Sequence, residues 1–299
     1  MVPSRAVVWA SLTAMVLIWG TTWAAIRISL QGFPPLTGVA LRFAIAGVVL
    51  LVLARVFGVR LGGGWSAWKV WIVNTLFTFC LAYSVLYWAE QWVPSGLSAV
   101  LFATYPLWVA LLAHFVLPGE RLTRAASLGV LVGFAGVAVI FSEDFGKLLG
   151  PHVAFAAVVL LVAPMSAAAG NVWVKKWGGG MHPLSTAAVP MALTGLLMAP
   201  VAWLGEAGGQ IHLATAPVLA LLYLALIGSA VPFTLFFSLL KHLPATQLSL
   251  INYAVPVVAV FIGAVFMKEP VTLREVAGTA LVVAGVWAAT RTASRQEAG

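Results

Sequence analysis

Predominantly apolar runs, each long enough to cross a lipid bilayer, take up nearly the whole chain. About 20 residues of helix traverse the hydrocarbon core. Runs of that length recur at roughly 7–28, 36–57, 67–89, 94–117, 124–142, 151–174, 183–204, 215–239, 244–267 and 272–290. Only 8% of residues are charged and 62% are hydrophobic, with a mean hydropathy of +1.05. A soluble domain carries about 25% charge, so polar surface here is too scarce to cover a globule in water. Backbone groups in lipid must be satisfied internally, which leaves helices or a closed barrel. No alternating strand pattern competes. The expectation is an all-α integral membrane protein of ten transmembrane helices, with connections too short for a soluble domain. The first run exceeds a signal peptide's apolar region and no small-residue cleavage site follows it, so it reads as a retained helix.

The formal charge of +8 and pI near 10.1 could point to a polyanionic partner, but the distribution of the charges argues for topology instead. With the amino terminus inside, one face carries Arg5, Arg55, Arg60, Lys69, Arg121, Arg124, Lys175, Lys176, Lys241, Arg291 and Arg295. The other carries Arg27, Arg42, Lys147, Lys268 and Arg274. Eleven against five is the positive-inside bias. It predicts a multi-pass protein with both termini cytoplasmic, whose surroundings are the lipid bilayer and not nucleic acid. The single Cys80 excludes an intramolecular disulfide and reads as a packing residue.

The chain is also written twice. "PPLTGVALRFAIAGVVL" from Pro34 aligns with "HPLSTAAVPMALTGLLM" from His182 at an offset of 148, which also sets Arg27 over Lys175. Pro94 meets Pro244 and Pro106 meets Pro256 at 150. "GERLTRAASLGVLVGFAGV" meets "KEPVTLREVAGTALVVAGV" at 149, aligning Glu120 with Glu269, Gly129 with Gly278 and Gly136 with Gly285. The expected units are residues 1–148 and 149–299, each with five spans. An odd count inverts the second copy, and inverted repeats are a transporter architecture. Pro106 and Pro256 are the hinge candidates. Each removes a hydrogen bond to the carbonyl four residues earlier, and that carbonyl should face protein or a water-filled cavity. A hinge and a static kink remain equally open readings.

Several stretches resemble a known family. They are "LIWGTTWAAIRISL" in span one, "PSGLSAVLFATYPLWVALL" in span four, "GERLTRAASLGVLVGFAGV" in span five and "LSLINYAVPVVAVFIGAVFMKEPVT" in the second half. All resemble the ten-helix EamA-type branch of the drug/metabolite transporter superfamily. The resemblance implies a basket of ten helices around a central cavity, with spans five and ten away from it. It further implies export of small metabolites, commonly amino acids, from a bacterial inner membrane.

Helical spacing and polarity pick out the cavity candidates. Span one offers Trp19 and Trp23 on one face; span three offers Phe79 and Tyr83; span four, Ser98 and Tyr105; span six, Ser166 and Asn171; span nine, Asn252 and Tyr253. Polar groups in hydrocarbon are expensive, so Asn171 and Asn252 should point inward; the deeper aromatics Trp19, Tyr83 and Tyr105 read as cavity lining ahead of ordinary helix packing. Aromatic faces beside Ser and Asn suit a zwitterionic amino acid with a hydrophobic or aromatic side chain. They would also hold a cation, and a multidrug or quaternary-cation exporter of the same fold is the alternative. No carboxylate lies near a span's middle and Glu90 is the nearest, which favours a facilitator over a proton-driven pump. Arg42 is expected to snorkel to headgroups, ahead of pairing with Glu90 or drawing in a substrate carboxylate. Glu120 and Glu269 are expected to complement the positive ends of spans five and ten. No catalytic set, metal spacing, cofactor motif or channel filter is visible, so an enzyme is not expected. The sequence leaves the oligomeric state open, a monomer included.

Overall fold

The computed structural model describes residues 3–93, 95–140, 142, 150–266 and 272–296. Among them every regular element is a helix. Seven are long and apolar enough to cross a membrane: Arg5–Ser29, Pro35–Val56, Gly64–Ala89, Leu97–Val116, His152–Trp177, Pro183–Gly205 and Thr215–Leu240. Three shorter apolar stretches, Arg124–Ile140, Ala245–Val258 and Val276–Ala289, fall in spans five, nine and ten. The expected boundary between units at 148/149 lies outside the described residues, as do Pro94 and Glu269.

Capping shows how the spans are tied together. Ser4 accepts from the Val7 N–H at the start of span one, which satisfies one of the first-turn donors. Span two begins with Pro35, where a missing N–H costs nothing. The Glu206 carboxylate, beyond the end of span seven, accepts from the next two donors, Leu36 N at 2.7 Å and Thr37 N at 2.8 Å. One acid from the second half thus neutralises a helix start in the first.

Lipid gives no hydrophobic drive for helices to associate, so small residues that allow close approach hold a bundle together. Here the close approaches are reciprocal. A Cβ on Gly47 would sit 2.3 Å from the Ala192 nitrogen, and one on Gly195 would sit 2.6 Å from the Ala44 Cα. Both members of the first pair move onto the second at the sequence offset of 148. Spans five and ten repeat the arrangement: Gly129 lies against Gly285, and Gly136 against Gly278. A twofold relation between the halves produces this exchange, and it gives the ten-helix bundle its two-repeat architecture. Spans five and ten pack on each other, and none of their described residues lines the central cavity, the arrangement the family resemblance implied.

Two further irregularities recur. Span three passes through a π-helical segment, Asn74–Leu81, and span eight through another, Leu226–Ala230. An offset of 150 lays the second inside the first. The aligned prolines behave differently from each other. Span four is interrupted at Ala103 and Thr104, and Pro106 sits in the first turn of the helix Tyr105–Val116. It therefore starts a helix, which proline does without loss. Span nine breaks earlier, at Leu250, and Pro256 lies inside Ile251–Phe266.

Gly47→Ala and Gly195→Ala each push a methyl group into the opposite backbone, an overpacking cost of about 1–3 kcal/mol. Both are expected to lower the thermal unfolding midpoint of the purified protein. Gly179→Ala, in a turn with open space around its Cα, should leave that midpoint unchanged.

Candidate functional site

Seven spans converge on a central cavity with about 810 Å³ of space between atoms, part of it open to solvent. Trp19, Thr22 and Trp23 come from span one, Arg42 from span two, and Thr78 and Tyr83 from span three. Span four adds Phe102 and Tyr105, span six Asn171, span eight Phe233 and Phe236, and span nine Asn252 and Pro256. Both halves contribute to the lining.

The walls are aromatic and mutually braced. Trp19 meets Phe233 edge-on at 5.6 Å between ring centres and Phe236 at 6.0 Å. Trp23 meets Phe102 at 5.9 Å, and Phe102 stacks on Tyr105 at 6.0 Å. Such edge-to-face and offset pairs are favourable and fix the ring planes. The Asn171 amide donates to the Tyr105 hydroxyl at 2.9 Å, which locks the position of both.

Among the described residues Arg42 is the one charged group in this lining, and it does not snorkel. Only 1% of it is exposed. Its Nε donates to Ser229 Oγ at 2.8 Å, Nη1 to Tyr87 Oη at 3.2 Å and Nη2 to the Gly228 carbonyl at 3.3 Å. The guanidinium lies 4.8 Å from the centre of the Tyr83 ring, a cation–π contact. The headgroups are therefore replaced by a polar cradle, and the π segment of span eight builds it. A π turn shifts the hydrogen-bond ladder by one residue. Ser229 donates to the Leu224 carbonyl five residues back, at 2.8 Å, and the Gly228 carbonyl accepts from Arg42. The matching segment in span three does similar work: its Phe77 carbonyl accepts from Ser166 at 2.7 Å, and Asn74 donates to the Thr186 carbonyl at 2.9 Å.

Three buried polar atoms of the lining have no hydrogen-bond partner: Trp19 Nε1, Thr78 Oγ1 and Asn171 Oδ1. Groups of this kind are normally satisfied when buried. Their grouping in one cavity marks positions where a guest can bond. Among the described residues, no acidic side chain lines the cavity, and no group of three or more His, Cys, Asp or Glu is placed to hold a metal ion.

Of the ten residues the sequence singled out, six line the cavity: Trp19, Trp23, Tyr83, Tyr105, Asn171 and Asn252. The other four do not. Phe79 lies behind the wall against Phe43 and Phe233. Ser166 spends its hydroxyl on Phe77. Ser98 is fully buried beside the lining residue Ala99. Tyr253 turns toward span five, where its ring covers Gly133 and its hydroxyl donates to the Val130 carbonyl at 2.9 Å. Neighbours on a helix diverge by about 100°, so Asn252 and Tyr253 could not both face inward. Of the hinge candidates, Pro256 lines the cavity and Pro106 is not part of that lining.

A clasp ties elements together at the end of the bundle that carries the termini. Glu120 does not complement span five. Its Oε2 accepts from Ala245 N at 2.8 Å, and its Oε1 lies 3.3 Å from Lys175 Nζ. Lys175 also donates to the carbonyls of Leu240 and Leu243 at 3.0 and 2.5 Å. At the opposite end, Arg27 donates to the Val93 carbonyl at 3.3 Å. Arg27 and Val93 align with Lys175 and Leu243 at offsets of 148 and 150, so each end of the bundle carries a related tie. His114 has a local task, accepting from Leu122 N. Glu90 is 1% exposed, and neither of its oxygens has a hydrogen-bond partner, Arg42 included.

Comparison with known proteins places this geometry. The profile of the EamA-like transporter family matches the chain twice, over residues 5–142 and 154–291. The chain is 26% identical over 278 residues to the uncharacterized transporter YvbV of Bacillus subtilis, covering 92% of this chain and 88% of that one. It is 27% identical over 260 residues to the uncharacterized inner membrane transporter YedA of Escherichia coli K12, covering 85% and 80%. Protein PagO of Salmonella typhimurium is 27% identical over 250 residues, covering 82% and 80%. One solved crystal structure superimposes with a TM-score of 0.79 at 23% identity, covering 98% of this chain and all of that one.

In a Cys80→Ala background, Thr22→Cys reports access to the cavity. Adding Glu120→Gln, which removes the ionic part of the clasp, is expected to raise its labelling by an impermeant maleimide several-fold. The increase should appear only when reagent is added to the face bearing the termini.

Proposed function

Because the chain belongs to the EamA-like transporter family, we propose that it exports small amphiphilic metabolites, chiefly amino acids with aromatic or hydrophobic side chains, through the central cavity. The proposed mode is facilitation by alternating access, in a bacterial inner membrane with both termini in the cytoplasm. Members of such a family move solutes and catalyse no reaction on them. The charge bias of eleven against five supports the orientation. The reciprocal packing of the halves supports alternating access, since two similar units can meet with either end of the cavity open.

One observation carries the substrate class: a guanidinium held in the cavity wall with no acid among the lining residues. Burying a charge costs several kcal/mol unless an opposite charge meets it. A guanidinium has five N–H groups, and the three bonds to Ser229, Tyr87 and Gly228 leave two of them. A guest carboxylate would supply both the missing charge and the acceptors. Asn171 Oδ1 and Thr78 Oγ1 can accept from an ammonium group, and the rings of Trp19, Phe102 and Phe236 suit the side chain. The same guanidinium repels a quaternary cation, which weighs against the rival exporter.

Purified protein in liposomes is expected to show saturable flux of radiolabelled phenylalanine. Other aromatic amino acids should compete, and phenethylamine, which lacks the carboxylate, should not. Arg42→Gln removes a charge-assisted bond pair of about 1.5–3 kcal/mol, so apparent affinity should fall roughly 10- to 100-fold. Flux of methylated cations that persists in Arg42→Gln, without amino-acid flux in the parent, would instead establish the cation exporter.

A further inference from the structure

Glu90 is a buried acid that the substrate site does not use. It follows the last residue of the span Gly64–Ala89, and its N–H donates to the carbonyl of the cavity-lining Leu86, one turn earlier. Its surroundings disfavour an ionised carboxylate on three counts. It is 1% exposed, so water does not solvate it. Neither oxygen receives a hydrogen bond. It also caps a helix C-terminus, where the backbone carbonyls present negative potential. Glu206, beyond the end of span seven, shares a surface pocket with Trp88 and Gln91, and its carboxylate is held by Leu36 N and Thr37 N. Arg27 of span one faces Glu90 electrostatically but spends a bond on Val93. Arg42 of span two is held by Ser229, Tyr87 and Gly228, and His152 of span six packs on Trp92. No donor in this set reaches the carboxylate.

The position of Glu90 gives its burial a consequence. It lies between Leu86, in the cavity wall, and Val93, the residue tied to Arg27 at the end opposite the termini. Opening that end would admit water to the carboxyl and free Arg27 to meet it, and both changes stabilise the anion. We propose that Glu90 is the proton-binding site of a pH-sensitive gate at the face opposite the termini. The neutral acid holds that end closed; as the end opens, the O–H bond breaks heterolytically, the proton passes to water and the carboxylate pairs with Arg27. The sign follows directly. The closed form binds the extra proton, so acid favours closure and rising pH on that face favours opening. Release and rebinding occur on the same side of the membrane, so no net proton crosses. The device rests on the proposed function only in taking the cavity as the transport path.

Two measurements test it without any substrate. Infrared spectra of the purified protein at neutral pH should contain a protonated-carboxyl carbonyl band that Glu90→Gln removes and Glu120→Gln leaves. In a Cys80→Ala background, labelling of Ile26→Cys in the cavity wall is normalised to an exposed Gln91→Cys. That ratio should rise several-fold from mildly acid to mildly alkaline pH and stay flat and low with Glu90→Gln added. A parent protein without the band, or a ratio that is flat in the parent or rises equally in the variant, overturns the gate. If Glu90→Gln does not fold, the band and the pH response of the parent still decide. Neither readout involves amino-acid flux, so the gate and the substrate assignment fail separately.

Discussion

In a lipid environment each polar group must find its partner within the protein, and that rule organises this molecule. Most of the buried polar groups obey it through bonds between spans: Ser166 to Phe77, Asn74 to Thr186, Tyr253 to Val130. Among the described residues, several of the exceptions gather in or beside the central cavity. Trp19, Thr78 and Asn171 keep unpartnered atoms in the cavity, and Arg42 keeps an uncompensated charge there. Glu90, one turn beyond the cavity wall, keeps an unpartnered carboxyl. Asn74 Oδ1 and Ser98 Oγ are unpartnered as well, outside the lining; the group of atoms inside the cavity is most simply read as provision for something that enters and leaves.

The glycine and alanine contacts between spans two and seven, and between five and ten, serve this arrangement from outside it. They bring backbones close enough to tie the halves together with no polar group spent. The remaining spans then line a space instead of filling it. The π segments are the second device. A regular helix has no spare carbonyl to offer, whereas the wider turn in span eight presents Gly228 and Ser229 to Arg42. Because span three carries the matching segment, the irregularity belongs to the repeat.

The sequence disclosed the fold well and the lining of the cavity in part, for physical reasons. Span length, charge asymmetry and the near-constant offset act over the whole chain and average out local ambiguity. The cavity candidates depended on single helical phases, where adjacent residues compete. Asn252 faces in and Tyr253 does not. Periodicity could not see that Gly133 would leave a slot for the tyrosine ring. Phe233 and Phe236 went unread because an aromatic in an apolar span gives no polar signal. Arg42 was visible as a charge inside a span, the strongest marker available. Snorkelling seemed sufficient only because the cradle lies in span eight, 187 residues away along the chain. Glu120 likewise reaches across 125 residues to Ala245, beyond any local capping rule.

Taken together, two halves braced by small residues enclose an aromatic cavity whose wall holds one desolvated guanidinium, with polar ties at both ends. The central claim is that this guanidinium awaits a carboxylate. An experimental structure of the protein bound to phenylalanine tests it most directly. The account predicts the ligand's carboxylate within hydrogen-bonding distance of Arg42 and its ring among Trp19, Phe102 and Phe236. A ligand seated elsewhere, or one in this cavity with its ammonium end toward Arg42, would contradict it.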